Sequence, residues 1–173
     1  TVAPVSQLTV DGSQITVNDK TYITPHTKII ISAEDPVVWT VSSGVKYTKY
    51  KIDETRWQIS IRPIGLIGLT EGIHTIEFYA VDNLGNTECK QMLTFYVDNT
   101  TPMTEITIGE PQYTAFGETY ISPRTPITLT ATDPVSNNVA SGVRYSEWRV
   151  DSGELVKYVS SFTMTEGRHT VYF

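Results

Sequence analysis

Residues 22–36 read YITPHTKIIISAEDP, and residues 120–134 read YISPRTPITLTATDP. The two stretches superimpose at a constant offset of 98, which carries Tyr22 onto Tyr120, Pro25 onto Pro123, Thr27 onto Thr125, Ala33 onto Ala131 and Asp35 onto Asp133. The same offset takes Ser43-Gly44-Val45 onto Ser141-Gly142-Val143, Tyr47 onto Tyr145 and Asp53 onto Asp151, and it reaches back to Pro4 and Pro102. Ala3–Arg56 and Thr101–Glu154 share 20 identities in 54 ungapped positions. A fixed period of this kind marks a duplicated structural unit. After Trp57 the offset falls to 95, where Glu71-Gly72 and His74-Thr75 match Glu166-Gly167 and His169-Thr170. Three extra residues of the first copy are therefore expected near Pro63–Leu69. Phe173 aligns with Phe78, so the second copy has no counterpart of Tyr79–Asp98, and the repeat predicts a continuation of the type Tyr-Ala-Val-Asp-Asn beyond it.

Within the first copy the pieces read as strands. Lys28–Ala33 is an Ile-rich run between Pro25 and Pro36, and His74–Val81 alternates Ile76, Phe78 and Ala80 with Thr75, Glu77 and Tyr79. Alternation with a period of two places each set on one sheet face. In Val45–Ile52 the alternation changes phase after Lys49, which predicts a bulge there. Asp82-Asn83-Leu84-Gly85-Asn86 is turn chemistry, and Met92–Val97 closes the module. No stretch has a helical period. Short strands separated by turns predict an all-β fold of two antiparallel, immunoglobulin-like or fibronectin III-like sandwiches in tandem, residues 1–98 and 99–173, the second incomplete at its C-terminus. Ile29, Ile31, Tyr50, Ile52, Ile76, Phe78 and Phe95 are the expected core of the first. A polar linker of about five residues leads us to expect modules with modest mutual contact.

Composition sets limits on partners. The chain has 173 residues and a formal net charge of −6, and its Lys and Arg residues form no basic stripe, which argues against nucleic acid. No run approaches the roughly 18 apolar residues of a membrane span. Cys89 is the single cysteine, so no intrachain disulfide forms. The chain opens on Thr1, as expected of a processed or excised piece.

The string Y-I-S-P-x-T-P-I-T-L-T-A-T-D, followed by S-G-V, W-R-V-D, E-G-x-H-T, Y-A-V-D-N-x-G-N and F-Y-V-D-N-T-x-P, resembles the bacterial and archaeal Ig-like repeats of the OmpL47 type. Leu155 departs from the pattern, since it stands where the family has Trp, as at Trp57. The resemblance implies an extracellular or cell-surface setting, as in S-layer-associated and secreted proteins, with a spacer or adhesive role. It implies no catalytic residue; one Cys and three dispersed His offer no zinc spacing, so no metal or cofactor is expected. Partners would be neighbouring domains of the same polypeptide and a cell-surface glycan or protein. The alternative it leaves open is an accessory carbohydrate-binding module of a secreted glycan-active enzyme.

Three sets of residues carry polar or aromatic chemistry. His74 and His169 recur at one position in both copies, which favours packing at the head of a strand over catalysis, and His26 aligns with Arg124 as a surface residue. For calcium, Asp35, Asp82, Asn83, Asp98, Asn99 and Asp133 supply oxygens, with Asn137 and Asn138 expected near the linker. No DxDxDG run accompanies them, so we read them as turn caps. Trp39 aligns with Asn137 and lies outside the shared core, where it could stack on a sugar beside Tyr47 and Tyr50 or fold over the end of the sandwich. Trp57, Tyr50 and Trp148 read as core or half-buried sheet residues.

Overall fold

The computed structural model describes residues 2–173, all of them in strands, turns and irregular segments. Among these residues there is no helix, and none therefore long and apolar enough to cross a membrane. Two compact units emerge: Thr1–Thr100 with Val135–Ser141, and Thr101–Pro134 with Gly142–Phe173.

The first unit contains β1 (Val5–Asp11), β2 (Gln14–Val17), β3 (Lys20–Ile23), β4 (Lys28–Glu34), β5 (Val45–Ile52), β6 (Gln58–Ile59), β7 (Ile64–Gly65), β8 (Gly72–Asp82) and β9 (Gln91–Val97). They form a three-stranded sheet, β1-β4-β7, and a six-stranded sheet, β2-β3-β9-β8-β5-β6. Both sheets feed one core. Ile29 and Ile64 come from the smaller sheet, and Ile23, Ile52, Ile76, Phe95 and Val97 from the larger. In β8 the even positions from Gly72 to Ala80 are buried, the period of two seen in the sequence.

Five of the seven expected core residues are buried. Ile31 and Tyr50 are only half-buried and pack against the cluster from its margin. The larger sheet is also not wholly antiparallel. β9 runs antiparallel to β8 but parallel to β3, pairing Tyr22 with Tyr96 and Ile23 with Val97. The bulge lies earlier than expected. Register breaks between Val45 and Tyr47 and then runs unbroken to Ile52, so Thr48, Tyr50 and Ile52 share the inward face without a phase change at Lys49.

The second unit contains β10 (Met103–Ile108), β11 (Gln112–Ala115), β12 (Glu118–Ile121), β13 (Ile127–Thr132), β14 (Glu147–Val150), β15 (Val156–Lys157) and β16 (Val171–Tyr172). Its sheets are β10-β13, β11-β12 and β15-β14-β16. Register repeats that of the first unit. Arg149↔Tyr172 and Val150↔Val171 reproduce Lys51↔Glu77 and Ile52↔Ile76. The Ile127↔Phe162 bridge reproduces Ile29↔Ile64, so the offset of 98 persists to Ile64. The three extra residues therefore fall between Ile64 and Thr70, where Leu66 and Leu69 close a turn and Leu66 enters the core.

Candidate functional site

Trp39 occupies the tip of a two-residue hairpin, Val38-Trp39-Thr40-Val41, closed by reciprocal backbone bonds of 3.0 Å between Val38 and Val41. Trp39 and Thr40 have φ values of 52° and 69°. Positive φ at both central positions defines the type I′ turn, which Asn and Gly adopt without penalty and a β-branched Thr does not. The second repeat makes the same turn with Asn137 and Asn138, at 47° and 63°. Trp39 does not fold over the end of the sheets; it is 93% exposed. Tyr50 turns to the core margin, and Lys49 lies over the Tyr47 ring. The first repeat thus holds a large apolar side chain in water on a strained backbone. Trp57 sits half-buried with its ring edge-on to Tyr79, 4.9 Å between centroids, and Trp148 stacks on Phe162 at 3.5 Å.

The acidic turn residues are committed to backbone groups. Asp35 Oδ2 accepts from the Ser42 and Ser43 hydroxyls and from Gly44 N–H at 2.8 Å, and Asp133 Oδ2 accepts from Gly142 N–H at 2.7 Å. Asp133 Oδ1 is buried and unpartnered. Asp98 is buried, its two oxygens accepting from Thr100 N–H and Ser141 N–H, while Asn99 is exposed. Asn83 Nδ2 donates to the carbonyls of Ser43 and Gly44, and Asn137 Nδ2 to that of Glu71. Asn138 takes the second place in its I′ turn. Asp82, fully buried, accepts from Leu84 N–H, Asn86 N–H and the Asn86 amide. Among the described residues no group of three His, Cys, Asp or Glu side chains is placed to hold a metal ion.

The histidines meet a carboxylate in both repeats. His74 Nδ1 lies 2.8 Å from Asp53 Oδ2 and Nε2 lies 2.8 Å from the Thr70 carbonyl, with the ring stacked on Phe95 at 5.7 Å. Asp53 Oδ1 accepts from Thr75 N–H at 2.9 Å, and Asp53 N–H donates to the Thr75 carbonyl. The second repeat keeps the Asp151–His169 and Asp151–Thr170 bonds, but His169 Nε2 there lies 3.3 Å from the Thr165 hydroxyl instead of a backbone carbonyl. An orienting carboxylate is one of the three members of a catalytic triad, but the far nitrogen, which would activate a nucleophile, is bonded to a backbone carbonyl in the first repeat. The group ties the turn after β5 to the head of β8. Asp53 and Asp151 align at the same offset, a signal that could have paired them with the histidines.

A second cluster escaped the sequence altogether. Glu88 Oε1 accepts from Ser6 N–H and the Gln91 amide, and Oε2 from the Ser6 hydroxyl at 2.6 Å and Ala80 N–H at 3.0 Å. One carboxylate so joins β1 of the smaller sheet to β8 of the larger. Nothing in the local pattern around Glu88 points to Ser6, which lies 82 residues away.

These bonds imply an acid limit on stability. Burial pushes the Asp53 carboxyl up, but hydrogen bonds from His74 and Thr75 outweigh it and hold the group below 3.8. Burial is likewise outweighed at Asp82 by the Asn86 amide and the Asn86 and Leu84 N–H groups. Asp151 is lowered chiefly by His169, then by Thr170 N–H. A carboxyl with a depressed folded value stabilises the fold above its unfolded value and loses that contribution as pH falls through the folded one. The urea midpoint should fall as pH drops below about 4, less steeply in Asp53→Asn. A midpoint that holds or rises as pH falls below about 4 would refute the assignment.

The chain matches no protein-family model, no curated protein and no solved structure.

Proposed function

We propose that the chain is a pair of Ig-like repeats of the OmpL47 type, serving as a non-catalytic spacer or adhesive segment of a larger extracellular or cell-surface protein. The observation that carries this reading is that both repeats make the same carboxylate bonds. The Asp53–His74 pair recurs as Asp151–His169, and the Asp35–Gly44 cap recurs as Asp133–Gly142. A group present in every copy and bonded to the backbone serves the module, whereas catalysis needs a constellation with a free reactive atom.

One feature favours the alternative, an accessory carbohydrate-binding module. Trp39 belongs to the first repeat alone, and it pairs near-complete exposure with backbone strain, a combination that clusters at ligand-binding positions. A glycan array probed with the labelled chain separates the two. The spacer reading expects no saturable binding. Saturable binding that disappears in Trp39→Asn, a residue the same turn carries in the second repeat, would establish the carbohydrate-binding role instead.

A further inference from the structure

The outward face of the six-stranded sheet in the first unit differs from the rest of a chain whose net charge is −6. Strand register sets its members side by side. Lys49 lies opposite Tyr79 and Ile59, and Lys51 lies opposite Glu77, which in turn faces Met92. Further along, Tyr96 lies opposite Tyr22 and Ile73. These positions alternate with the buried Ile52, Ile76, Phe95 and Val97.

Four lysines lie over aromatic rings on this face. Lys20 Nζ is 5.3 Å from the centre of the Tyr96 ring and Lys49 Nζ is 5.2 Å from that of Tyr47. Lys51 and Lys90 lie 5.7 and 5.2 Å from the centre of Trp57. A ring face attracts an ammonium group and holds a flexible lysine near one place, which reduces the entropy it loses on meeting an anion. Lys51 is neutralised by Glu77 at 2.8 Å, with a weaker pull from Glu54. Among the described residues Lys20, Lys49 and Lys90 make no ion pair. Glu77 is also the one carboxylate that the strands of this sheet turn outward, since Asp82 is fully buried.

The second repeat lacks this set. At the same offset Glu118 stands for Lys20, Glu147 for Lys49 and Leu155 for Trp57. Its strands still pair in the same register, Glu147↔Lys157 and Trp148↔Val156 reproducing Lys49↔Ile59 and Tyr50↔Gln58. The fold therefore does not require these lysines or the tryptophan.

Uncompensated ammonium groups call for an anionic partner, and the surface between them narrows its class. β5, β8 and β9 are each paired on both sides, so no backbone edge is open here to an added peptide strand. The lysines spread from β3 to β5, three strand spacings or roughly 14 Å, which suits an extended polymer. Between them Trp57 lies edge-on to Tyr79, with Ile59 and Met92 exposed beside the pair. The C–H face of a sugar ring meets the negative face of an aromatic ring favourably. On the adhesive reading above, on which this inference rests, we propose that this face binds an acidic polysaccharide. Its uronate carboxylates meet Lys20, Lys49 and Lys90, and its rings rest on the surface around Trp57 and Tyr79.

The whole 173-residue chain titrated with polygalacturonate or with alginate should bind saturably, and more weakly as salt rises. Lys49→Gln combined with Lys90→Gln should weaken binding about tenfold or more, as expected for the loss of two charge-assisted contacts. Lys28→Gln removes the same charge from β4 of the smaller sheet and should leave binding unchanged. Glu77→Gln should strengthen binding, because it releases Lys51. No saturable binding to either polymer would overturn the proposal and leave the spacer reading in place. Equal binding of methyl-esterified polygalacturonate, polyglutamate or duplex DNA would overturn it as well, since each lacks either the charge or the sugar face. Binding that Trp39→Asn abolishes and the lysine variants keep would place the carbohydrate site at the turn instead, and would also overturn it.

Discussion

Replacing Phe95 by Ala should destabilise the first unit by about 3–5 kcal/mol, the range for removing a buried Phe from a core that cannot fully collapse around the cavity. Phe95 is 1% exposed and belongs to the cluster shared by both sheets. It also stacks on His74, so the cavity reaches the ring that ties β8 to the turn after β5. Met92 provides the control, since it lies on the same strand but is 68% exposed. Met92→Ala should fall within about 0.5 kcal/mol of the parent. Urea unfolding monitored by fluorescence checks both, and similar losses in the two variants would mean that β9 does not present its Phe95 face to the core.

Glu88→Ala should cost about 3 kcal/mol, more than a half-exposed glutamate ordinarily contributes. Its carboxylate accepts from Ser6 N–H, the Ser6 hydroxyl and Ala80 N–H. Ser6 is 2% exposed and Ala80 is 0% exposed, so water does not readily replace the lost acceptor. Each buried donor left without a partner costs about 1–3 kcal/mol. Glu88→Gln should rescue only in part, because a carboxamide has one acceptor oxygen where four donors converge. Pairing Glu88→Ala with Ser6→Ala should recover a portion of the loss, since the second change removes one of the orphaned donors. Denaturation midpoints of Glu88→Ala, Glu88→Gln, Ser6→Ala and the double variant measure this, and a strictly additive double variant would show that the two residues are not coupled.

The duplication was legible because it is written in residue identity. Once Tyr22 aligns with Tyr120 and Asp53 with Asp151, the register of the second unit follows from that of the first, down to Arg149 opposite Tyr172. The even-numbered face of Gly72–Asp82 was legible for a similar reason, because inward and outward sides of a strand alternate with the chain itself. The all-β class follows from the same two signals.

Other features depend on which strands become neighbours, and a local pattern does not encode that. β9 is a plain alternating strand in sequence, yet only its position between β8 and β3 makes one of its pairings parallel and makes it the link across the six-stranded sheet. His74 and Asp53 are 21 residues apart and Glu88 and Ser6 are 82 apart; each pair meets because strand register brings it together. The exposure of Trp39 was likewise fixed by backbone geometry, as the I′ hairpin points its central side chains outward whatever their hydrophobicity. The sequence by itself determined the repeat and the inward face of its strands, because both are properties of neighbours along the chain. The tertiary structure alone decided the polar partners and the exposed Trp39, because hydrogen bonds and turn geometry are set by residues far apart in the chain or by backbone angles that residue identity does not fix.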